Sequence, residues 1–173
     1  ALVESAKLQP GMRLLIHGGS GGVCVSAFQL AKHVGADTIA PCSDGNVAAV
    51  EALGVKAIPY DSVDFAAEIS DCDVVFDTVG GQIHEDSYKV RKKGGRLVYL
   101  LAKPFNDLSA EYEVEVKQAN VFGATGNLRK VVDFAAKGII KPIIGQSMEL
   151  KDFRKAFELA ESRESGGKIV LNI

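Results

Sequence analysis

A cluster of glycines is the part of the sequence best suited to chemistry. The segment His17–Cys24 reads HGGSGGVC and lies between an apolar run and a helical pattern. Gly19 and Gly21 have no Cβ, so the backbone there can approach an anion, and the N–H groups of the following helical turn would face it. In the G-x-G-x-x-G pattern, Cys24 stands in place of the third glycine. We interpret the segment as a phosphate-binding turn rather than a plain tight turn, with Cys24 as a packing residue rather than a reactive thiol.

The residues after the second predicted strand decide which dinucleotide would bind. An acidic residue about twenty positions after the glycine turn binds the ribose hydroxyls of NAD, and this count reaches Ser43 or Asp44. A serine hydroxyl with nearby amides can accept the 2′-phosphate of NADP, whereas the charge of Asp44 would repel it and favour NAD. A third interpretation is that both residues cap the helix that begins near Asn46. The count leaves all three open.

Two further segments place small or cationic residues where a ligand could lie. Asp77–Gly81 reads DTVGG and follows a strongly apolar strand, at the sheet edge where open α/β folds bind ligands. It is either part of a binding site or a helix start that Thr78 caps. Lys168 follows two glycines near the end of the sequence, and it either reaches a phosphate or begins an edge strand.

Candidate catalytic groups are scarce in the sequence. His17, His33 and His84 are scattered, without a Ser-His-Asp order, an H-E-x-x-H motif or a Cys/His spacing that suits zinc. We interpret His17 as a hydrogen-bonded residue at a strand end, and His33 and His84 as solvated helix residues. The sequence therefore predicts a cofactor site with no identified catalytic residue and no metal site.

The composition argues against several other functions. The chain has 173 residues, which suits one domain, and 20 basic against 22 acidic side chains give a formal net charge of −2. A net charge of this size and sign gives no overall electrostatic attraction to nucleic acid or anionic lipid. No apolar run is long enough to span a membrane. Three widely spaced cysteines, an odd number, are typical of a reducing compartment, so we expect a cytoplasmic protein.

Strand and helix patterns alternate along the chain and must position these residues. Apolar runs of strand length alternate with stretches whose apolar residues recur every three or four positions. Strands this apolar are covered by helices on both faces, which predicts a doubly wound α/β domain with a parallel sheet of about six strands. The predicted strands are Met12–His17, Thr38–Pro41, Lys56–Pro59, Asp73–Asp77, Gly95–Leu101, Ala119–Ala124 and Lys168–Ile173, and the predicted helices are Gly21–Val34, Asn46–Leu53, Val63–Ile69, Gln82–Lys92, Leu128–Lys137 and Leu150–Glu161.

In this order the motifs resemble a known family. The segments are HGGSGGV followed by AFQLAKHVGA, then DVVFDTVGG, GGRLVYL, AAKGIIKPII and GGKIVLNI. Together they are similar to the cofactor-binding part of the zinc-free, quinone-oxidoreductase-like branch of the medium-chain dehydrogenase/reductase superfamily, and the resemblance covers nearly the whole chain. It implies a Rossmann fold and a nicotinamide cofactor, usually NADPH in this branch. It also implies reduction of quinones, enones or related activated carbonyl compounds.

The resemblance assigns cofactor-binding residues by position. It implies that the diphosphate loop consists of Gly19, Ser20, Gly21, Gly22 and Val23, and that the adenosine phosphate is contacted by Ser43 and Tyr60. The turn beside the ribose would be Thr78, Val79 and Gly80, and the strand ends near the nicotinamide would be Leu100, Leu101, Val121 and Phe122. The lysine that faces the cleft would be Lys168. Relatives often carry a basic residue for the 2′-phosphate where this sequence has Gly45 and Asn46, so NAD is the alternative to NADP.

Members of that family have two domains, and the resemblance covers one of them. The sequence begins on a segment, Ala1–Leu8, similar to the helix that precedes the first Rossmann strand. We therefore expect residues 1–173 to form a dinucleotide-binding domain that lacks an N-terminal GroES-like catalytic domain, with residues 141–173 packing toward that missing domain. A small-molecule substrate would bind through the missing domain. The strand Ala119–Ala124 is a candidate edge for a homodimer.

The expected function is therefore that of the cofactor-binding part of an NADP-dependent oxidoreductase. Two alternatives stay open at this point. One is a dinucleotide-sensing or interaction module that keeps the fold without a reaction. The other is an S-adenosylmethionine-dependent methyltransferase, which also has a glycine loop after its first strand but normally needs an acid at the end of its second.

Overall fold

The secondary structure follows the predicted alternation of strands and helices. The computed structural model describes residues 1–19, 21–100, 104–119, 125–162 and 165–173. The strands are β1 Arg13–Ile16, β2 Asp37–Cys42, β3 Lys56–Pro59, β4 Cys72–Asp77, β5 Arg91–Tyr99, β6 Glu115–Gln118, β7 Ile144–Glu149 and β8 Lys168–Asn172, and the helices are α1 Gly22–Val34, α2 Val47–Glu51, α3 Phe65–Glu68, α4 Gln82–Asp86, α5 Thr125–Ala136 and α6 Phe153–Ser162. Short 3₁₀ turns cover Asp44–Asn46 and Leu150–Asp152.

The first six strands form one parallel sheet. Its order is β3-β2-β1-β4-β5-β6, and each neighbouring pair is parallel. Leu15 of β1 lies opposite Ile39 of β2 on one side and Val75 of β4 on the other. The chain thus winds outward from β1 in both directions, and the predicted doubly wound fold is confirmed.

Strand β1 shows that both faces of the sheet are covered. Leu14 and Ile16 pack with Phe28 of α1 in one apolar cluster. Leu15 packs with Phe65 of α3 in another. All three β1 residues are fully buried. Because successive strand side chains point to opposite faces, this alternation buries the strand between two layers.

Helix α1 ends where the sequence predicts. Gly35 adopts φ 84°, a left-handed conformation that favours glycine, and its N–H donates to the carbonyl oxygens of Ala31 and Lys32. Ala31 also belongs to the buried stripe that joins α1 to the sheet. None of the helices in the described ranges is long and apolar enough to cross a membrane.

The helix predicted over Gln82–Lys92 is shorter than expected. Helix α4 ends at Asp86, and β5 already begins at Arg91. The Cys72 N–H donates to the carbonyl of Val90, and Arg91 lies opposite Cys72 in the sheet. The chain must therefore leave the helix before Val90 to join β4.

Strand β6 covers Glu115–Gln118, a segment for which no strand was predicted. The predicted strand Ala119–Ala124 falls almost entirely on residues 120–124, which lie outside the described residues. Glu115 lies opposite Arg96 of β5, and the Arg96 Nε is 3.0 Å from its Oε2. Since β6 is at the sheet edge and largely exposed, it can be polar, and apolar periodicity does not mark it.

The last strands form a separate two-stranded parallel sheet, β7-β8, with α6 between them in sequence. Large apolar side chains here are exposed: Ile144, Phe153, Phe157 and Val170. The Gln29 side chain of α1 contacts this region, since its Nε2 donates to the Lys141 carbonyl and its Oε1 accepts from the Lys141 N–H, at 3.0 and 2.9 Å. The packing of residues 141–173 toward a further domain stays a prediction.

Candidate functional site

A cleft opens at the carboxyl ends of β1 and β2. Its volume is about 690 Å³, and it adjoins a second cavity of about 520 Å³. Both lie at the point where the sheet order reverses beside β1, which is where open α/β sheets bind ligands. The residues shared by the two cavities are Gly18, Gly19, Ser43, Asn46 and Tyr60, and the larger cleft adds Gly21, Gly22 and Ser165–Lys168.

The glycine turn is pressed against the ends of two neighbouring strands. A Cβ on Gly19 would lie 2.8 Å from both the Pro41 carbonyl oxygen and the Cys42 Cβ. Gly18 has φ 101°, and a Cβ there would collide with the hydroxyl of Thr78. The backbone therefore reaches this position only because neither residue has a side chain.

The amino end of α1 faces the cleft together with a lysine. Helix α1 begins at Gly22 with Gly21 as its N-cap residue, without a side-chain cap and without an acidic residue in the first turn. A Cβ on Gly22 would lie 2.7 Å from the Lys168 Nζ, so this ammonium group lies against the first helical turn. The N–H groups of the first helical turn and a cation converge on one point, which suits a phosphate. Val23, also in that turn, is 53% exposed.

Cys24 packs behind this turn. It is 1% exposed, and its Sγ lies 3.3 Å from the His17 carbonyl oxygen and 3.6 Å from the Thr78 Oγ1. Burial raises the pKa of the Cys24 thiol, although the Thr78 hydrogen bond opposes the shift. A buried neutral thiol is a poor nucleophile, so the structure agrees with a packing role.

The segment after β4 is held by Asp77. Asp77 Oδ1 accepts from the N–H groups of Val79 and Gly80, at 2.8 and 2.9 Å. The Thr78 hydroxyl donates to the His17 carbonyl at 2.7 Å, which ties the ends of β1 and β4 together. Helix α4 begins later, with Gly81 as its N-cap residue. The interpretation of Thr78 as a helix cap is therefore wrong.

His84 is buried, which corrects the prediction of a solvated helix residue. It is 0% exposed, and its ring stacks on Phe105 with centroids 3.9 Å apart. Its Nδ1 lies 2.8 Å from Asp77 Oδ2. Burial alone would raise the pKa of Asp77, but hydrogen bonds from His84, Gly80 and Val79 hold that pKa below its ordinary value. Asp77 is therefore ionised, and His84 donates to it.

His17 is the hydrogen-bonded strand-end residue that the sequence predicts. It is 2% exposed, and its Nε2 lies 2.9 Å from the Ser87 Oγ. The Ser87 hydroxyl donates to the Ile83 carbonyl, so His17 is the donor to Ser87. Burial lowers the pKa of His17 to about 4, against the attraction of Asp77. His33 is exposed, as predicted.

The lowered pKa of His17 predicts a loss of stability in mild acid. Because the unfolded residue titrates near 6.5 and the folded one near 4, the unfolded state binds more protons between these pH values. The stabilisation is thus present above pH 6.5 and is lost as pH falls toward 4. From pH 7 to 4.5 the wild type should lose about 2 kcal/mol more than His17→Gln. Urea unfolding at both pH values tests this, and equal losses in the two proteins would contradict it.

The end of β2 carries polar residues that reach across to β3. The Asn46 side-chain amide donates to the Ser43 hydroxyl at 2.7 Å. The Asp44 N–H donates to Asp61 Oδ2 at 2.9 Å. Ser43 precedes the 3₁₀ turn without a side-chain cap hydrogen bond, so the capping interpretation of Ser43 is wrong. Tyr60 follows β3, is 58% exposed and lines the cleft.

Of the eleven predicted cofactor residues that the structure describes, seven line the cleft or the adjoining cavity. Gly19, Gly21, Gly22, Ser43, Tyr60 and Lys168 line the larger cleft, and Val79 lines the adjoining cavity. Leu100 is half-buried, and its N–H donates to the Asp77 carbonyl. Ser20, Leu101, Val121 and Phe122 lie outside the described residues.

The sheet order and the glycine turn define a class of proteins, the Rossmann-type dinucleotide-binding domains. A family model described as zinc-binding dehydrogenase matches residues 53–171. The chain belongs to this family, and the predicted membership of the medium-chain dehydrogenase/reductase superfamily is confirmed.

Relatives and solved structures agree with this assignment. The chain is 27% identical to the acryloyl-coenzyme A reductase of Metallosphaera sedula, over 98% of the chain and 53% of the reductase. It is 30% identical to the polyketide synthase GfsB of Streptomyces halstedii, over the whole chain and 3% of the synthase. The quinone oxidoreductase of Coxiella burnetii superimposes with a TM-score of 0.85 and 27% identity, over 99% of the chain and 56% of that protein. The chain thus spans about half the length of the two reductase-type relatives and a small part of the synthase.

The name of the family model refers to zinc, but the residues that the structure describes do not form a zinc site. No group of three His, Cys, Asp or Glu side chains within the described ranges could hold a metal ion. Cys24, Cys42 and Cys72 are free and buried, and they lie in three different elements.

Proposed function

We propose that this chain is the dinucleotide-binding domain of an oxidoreductase that transfers hydride between a nicotinamide coenzyme and an electron-poor alkene, quinone or related carbonyl compound. The observation that carries the proposal is the cleft in which Gly19, the first turn of α1 and Lys168 meet. The glycine turn lets the backbone approach a diphosphate, and the N–H groups and the ammonium group neutralise its charge.

The substrate class is supported by what the relatives are called. One is a quinone oxidoreductase and another an acryloyl-coenzyme A reductase. Quinones and acryloyl thioesters both present a carbon–carbon double bond conjugated to a carbonyl group, which accepts hydride. When bound, the reduced nicotinamide would supply that hydride.

In this proposal the residues of the chain bind and orient. The glycine turn and Lys168 hold the diphosphate, while Ser43 and Tyr60 lie beside the adenosine end. Asp77 fixes the Val79–Gly80 turn through its two accepted hydrogen bonds. Fixed backbone of this kind reduces the entropy lost when reactants are positioned.

The substrate pocket is proposed to come from a separate GroES-like domain. The exposed apolar side chains of β7, β8 and α6 support this, because their burial against another domain would remove apolar area from water. A homodimer through the predicted strand Ala119–Ala124 and a cytoplasmic location stay predictions from the sequence.

Titration of the chain with NADH and with NADPH, followed by nicotinamide fluorescence, tests the proposal. We expect binding without turnover of a quinone. Lys168→Gln should weaken binding about fivefold, because it removes one charge beside a solvent-accessible diphosphate, and more at low salt than at high salt. Lys56→Gln is the control, since Lys56 is exposed at the opposite end of β3.

Three outcomes would contradict the proposal. Binding of neither coenzyme at millimolar concentration would refute the assignment. Equal losses for Lys168→Gln and Lys56→Gln would remove Lys168 from the site. A rise in melting temperature with S-adenosylmethionine, but not with either coenzyme, would instead support a methyltransferase.

A further inference from the structure

Two hydrogen bonds of one glutamine join the last part of the chain to helix α1. The Gln29 Nε2 donates to the Lys141 carbonyl at 3.0 Å, and the Gln29 Oε1 accepts from the Lys141 N–H at 2.9 Å. A carbonyl can only accept and an N–H can only donate, so this pairing fixes both ends of the amide group. Within the described ranges, no other hydrogen bond joins residues 141–173 to the strands and helices before them.

Lys141 has these two backbone groups free for Gln29 because it lies between α5 and β7 and belongs to neither. Pro142 follows it. The residue before a proline favours an extended backbone, and proline itself has no N–H to donate. Gln29 therefore supplies the two partners that a neighbouring strand would otherwise give to Lys141.

The position of Lys141 sets the position of Lys168. Two residues after Lys141, the Ile143 carbonyl accepts from the Lys168 N–H at 2.8 Å. The backbone is closely packed here, because a Cβ on Gly167 would lie 2.6 Å from the Ile143 carbonyl oxygen. Neither contact involves a flexible side chain, so a shift of residues 141–143 along α1 would also shift Lys168.

The two points of contact with α1 lie on one face of that helix. A Cβ on Gly22 would lie 2.7 Å from the Lys168 Nζ. Gln29 comes seven residues after Gly22, which is about two helical turns. Val25 and Ser26 lie between these two residues and line the cleft, whereas Gln29 does not line it. Gln29 is thus outside the site, on the side of α1 that the site uses.

We propose that Gln29 positions Lys168 for the coenzyme diphosphate. It holds the backbone of Lys141, and through Ile143 that of Lys168, so that the ammonium group reaches the first turn of α1. Lysine has a long flexible side chain, so a fixed backbone reduces the conformational freedom that its ammonium group loses when it binds an anion. The inference rests on the proposed function. Gln29 itself contacts no coenzyme and is a positioning residue.

The test is a double-mutant cycle in which nicotinamide fluorescence gives the dissociation constants for NADH and NADPH. Gln29→Ala should weaken binding of the tighter coenzyme about threefold, less than Lys168→Gln does, because the ammonium group is displaced rather than removed. In the Lys168→Gln background, Gln29→Ala should change the dissociation constant by less than about 1.5-fold. The salt dependence of binding by Gln29→Ala should fall toward that of Lys168→Gln, because less of the lysine charge acts on the diphosphate.

Gln118→Ala is the matched control, because Gln118 is exposed in β6 at the far edge of the large sheet. It should leave the dissociation constants unchanged. Circular dichroism and melting temperature confirm that each variant is folded. Equal losses from Gln29→Ala in both backgrounds would show that Gln29 does not act through Lys168, and they would overturn the inference while the proposed function stands. So would unchanged affinity in Gln29→Ala. Binding of neither coenzyme by the unmodified chain would refute the proposed function, and the inference with it.

Discussion

Replacing Asp77 with alanine is expected to lower the free energy of unfolding by about 3–5 kcal/mol, the usual cost of removing one partner of a buried pair. The carboxylate is 1% exposed. It accepts hydrogen bonds from His84 and from the N–H groups of Val79 and Gly80. Alanine would leave all three donors unpaired, and His84 has no hydrogen-bond partner at Nε2 within the described part of the chain.

The matched control for this prediction is Asp73→Ala in the same strand. Asp73 also accepts a backbone N–H, from Arg13, and pairs with Lys92, but its side chain is 24% exposed. Its removal should cost no more than about 1 kcal/mol. Urea unfolding at pH 7 measures both values. Similar losses for the two variants would mean that the Asp77 network contributes no more than a surface ion pair.

The pH dependence of the Asp77 contribution has a defined direction. The pKa of Asp77 is lower in the folded state than its ordinary value, so the folded state binds fewer protons than the unfolded state as this group titrates. The stabilisation is therefore complete above the unfolded pKa of about 3.9 and is lost as pH falls through the folded pKa. The stabilisation from Asp77 can be distinguished from the stabilisation that neutral His17 provides, because the latter is lost at higher pH.

Replacing Gly19 with alanine is expected to weaken coenzyme binding at least about tenfold, because misplaced binding groups lose affinity steeply. The added Cβ would lie 2.8 Å from the Pro41 carbonyl oxygen and from the Cys42 Cβ. Neither is the end of a flexible side chain, so the glycine turn itself must move away from β2. Overpacking of this kind should also lower the free energy of unfolding by about 1–3 kcal/mol.

Gly126→Ala is the control for that substitution. Gly126 lies in α5, and a Cβ there would meet no atom of the described residues within 4 Å. The change should leave coenzyme affinity as it is and raise stability slightly, by at most about 1 kcal/mol, because alanine favours helix. Fluorescence titration measures the coenzyme affinity of both variants, and urea unfolding measures their free energies of unfolding. Undiminished affinity in folded Gly19→Ala would show that the turn does not position the coenzyme.

The sheet and the glycine turn could be predicted because local pattern dictates them. Leu14, Leu15 and Ile16 are consecutive apolar residues because β1 is covered on both faces. The helix that follows ends at Gly35 because a left-handed residue is required there. Both signals come from residues close in sequence, and neither depends on which strands become neighbours.

Residues whose environment depends on distant partners were missed. His84 has the spacing of a surface helix residue, but the rings of Tyr88, Tyr99 and Phe105 enclose it. Strand β6 is polar because it lies at an edge, so its composition is that of a loop.

The groups proposed to bind the diphosphate come from two separate parts of the fold. The N–H groups belong to α1, beside the large sheet, whereas Lys168 is the first residue of β8 in the small one. Thermodynamic reciprocity then applies to a ligand that contacts both α1 and Lys168. Such a ligand stabilises the association of these two parts by the same factor by which their association raises the affinity for the ligand. A coenzyme held by both groups would therefore bind more tightly when the terminal β7–α6–β8 unit packs against α1, and it would stabilise that packing by the same factor.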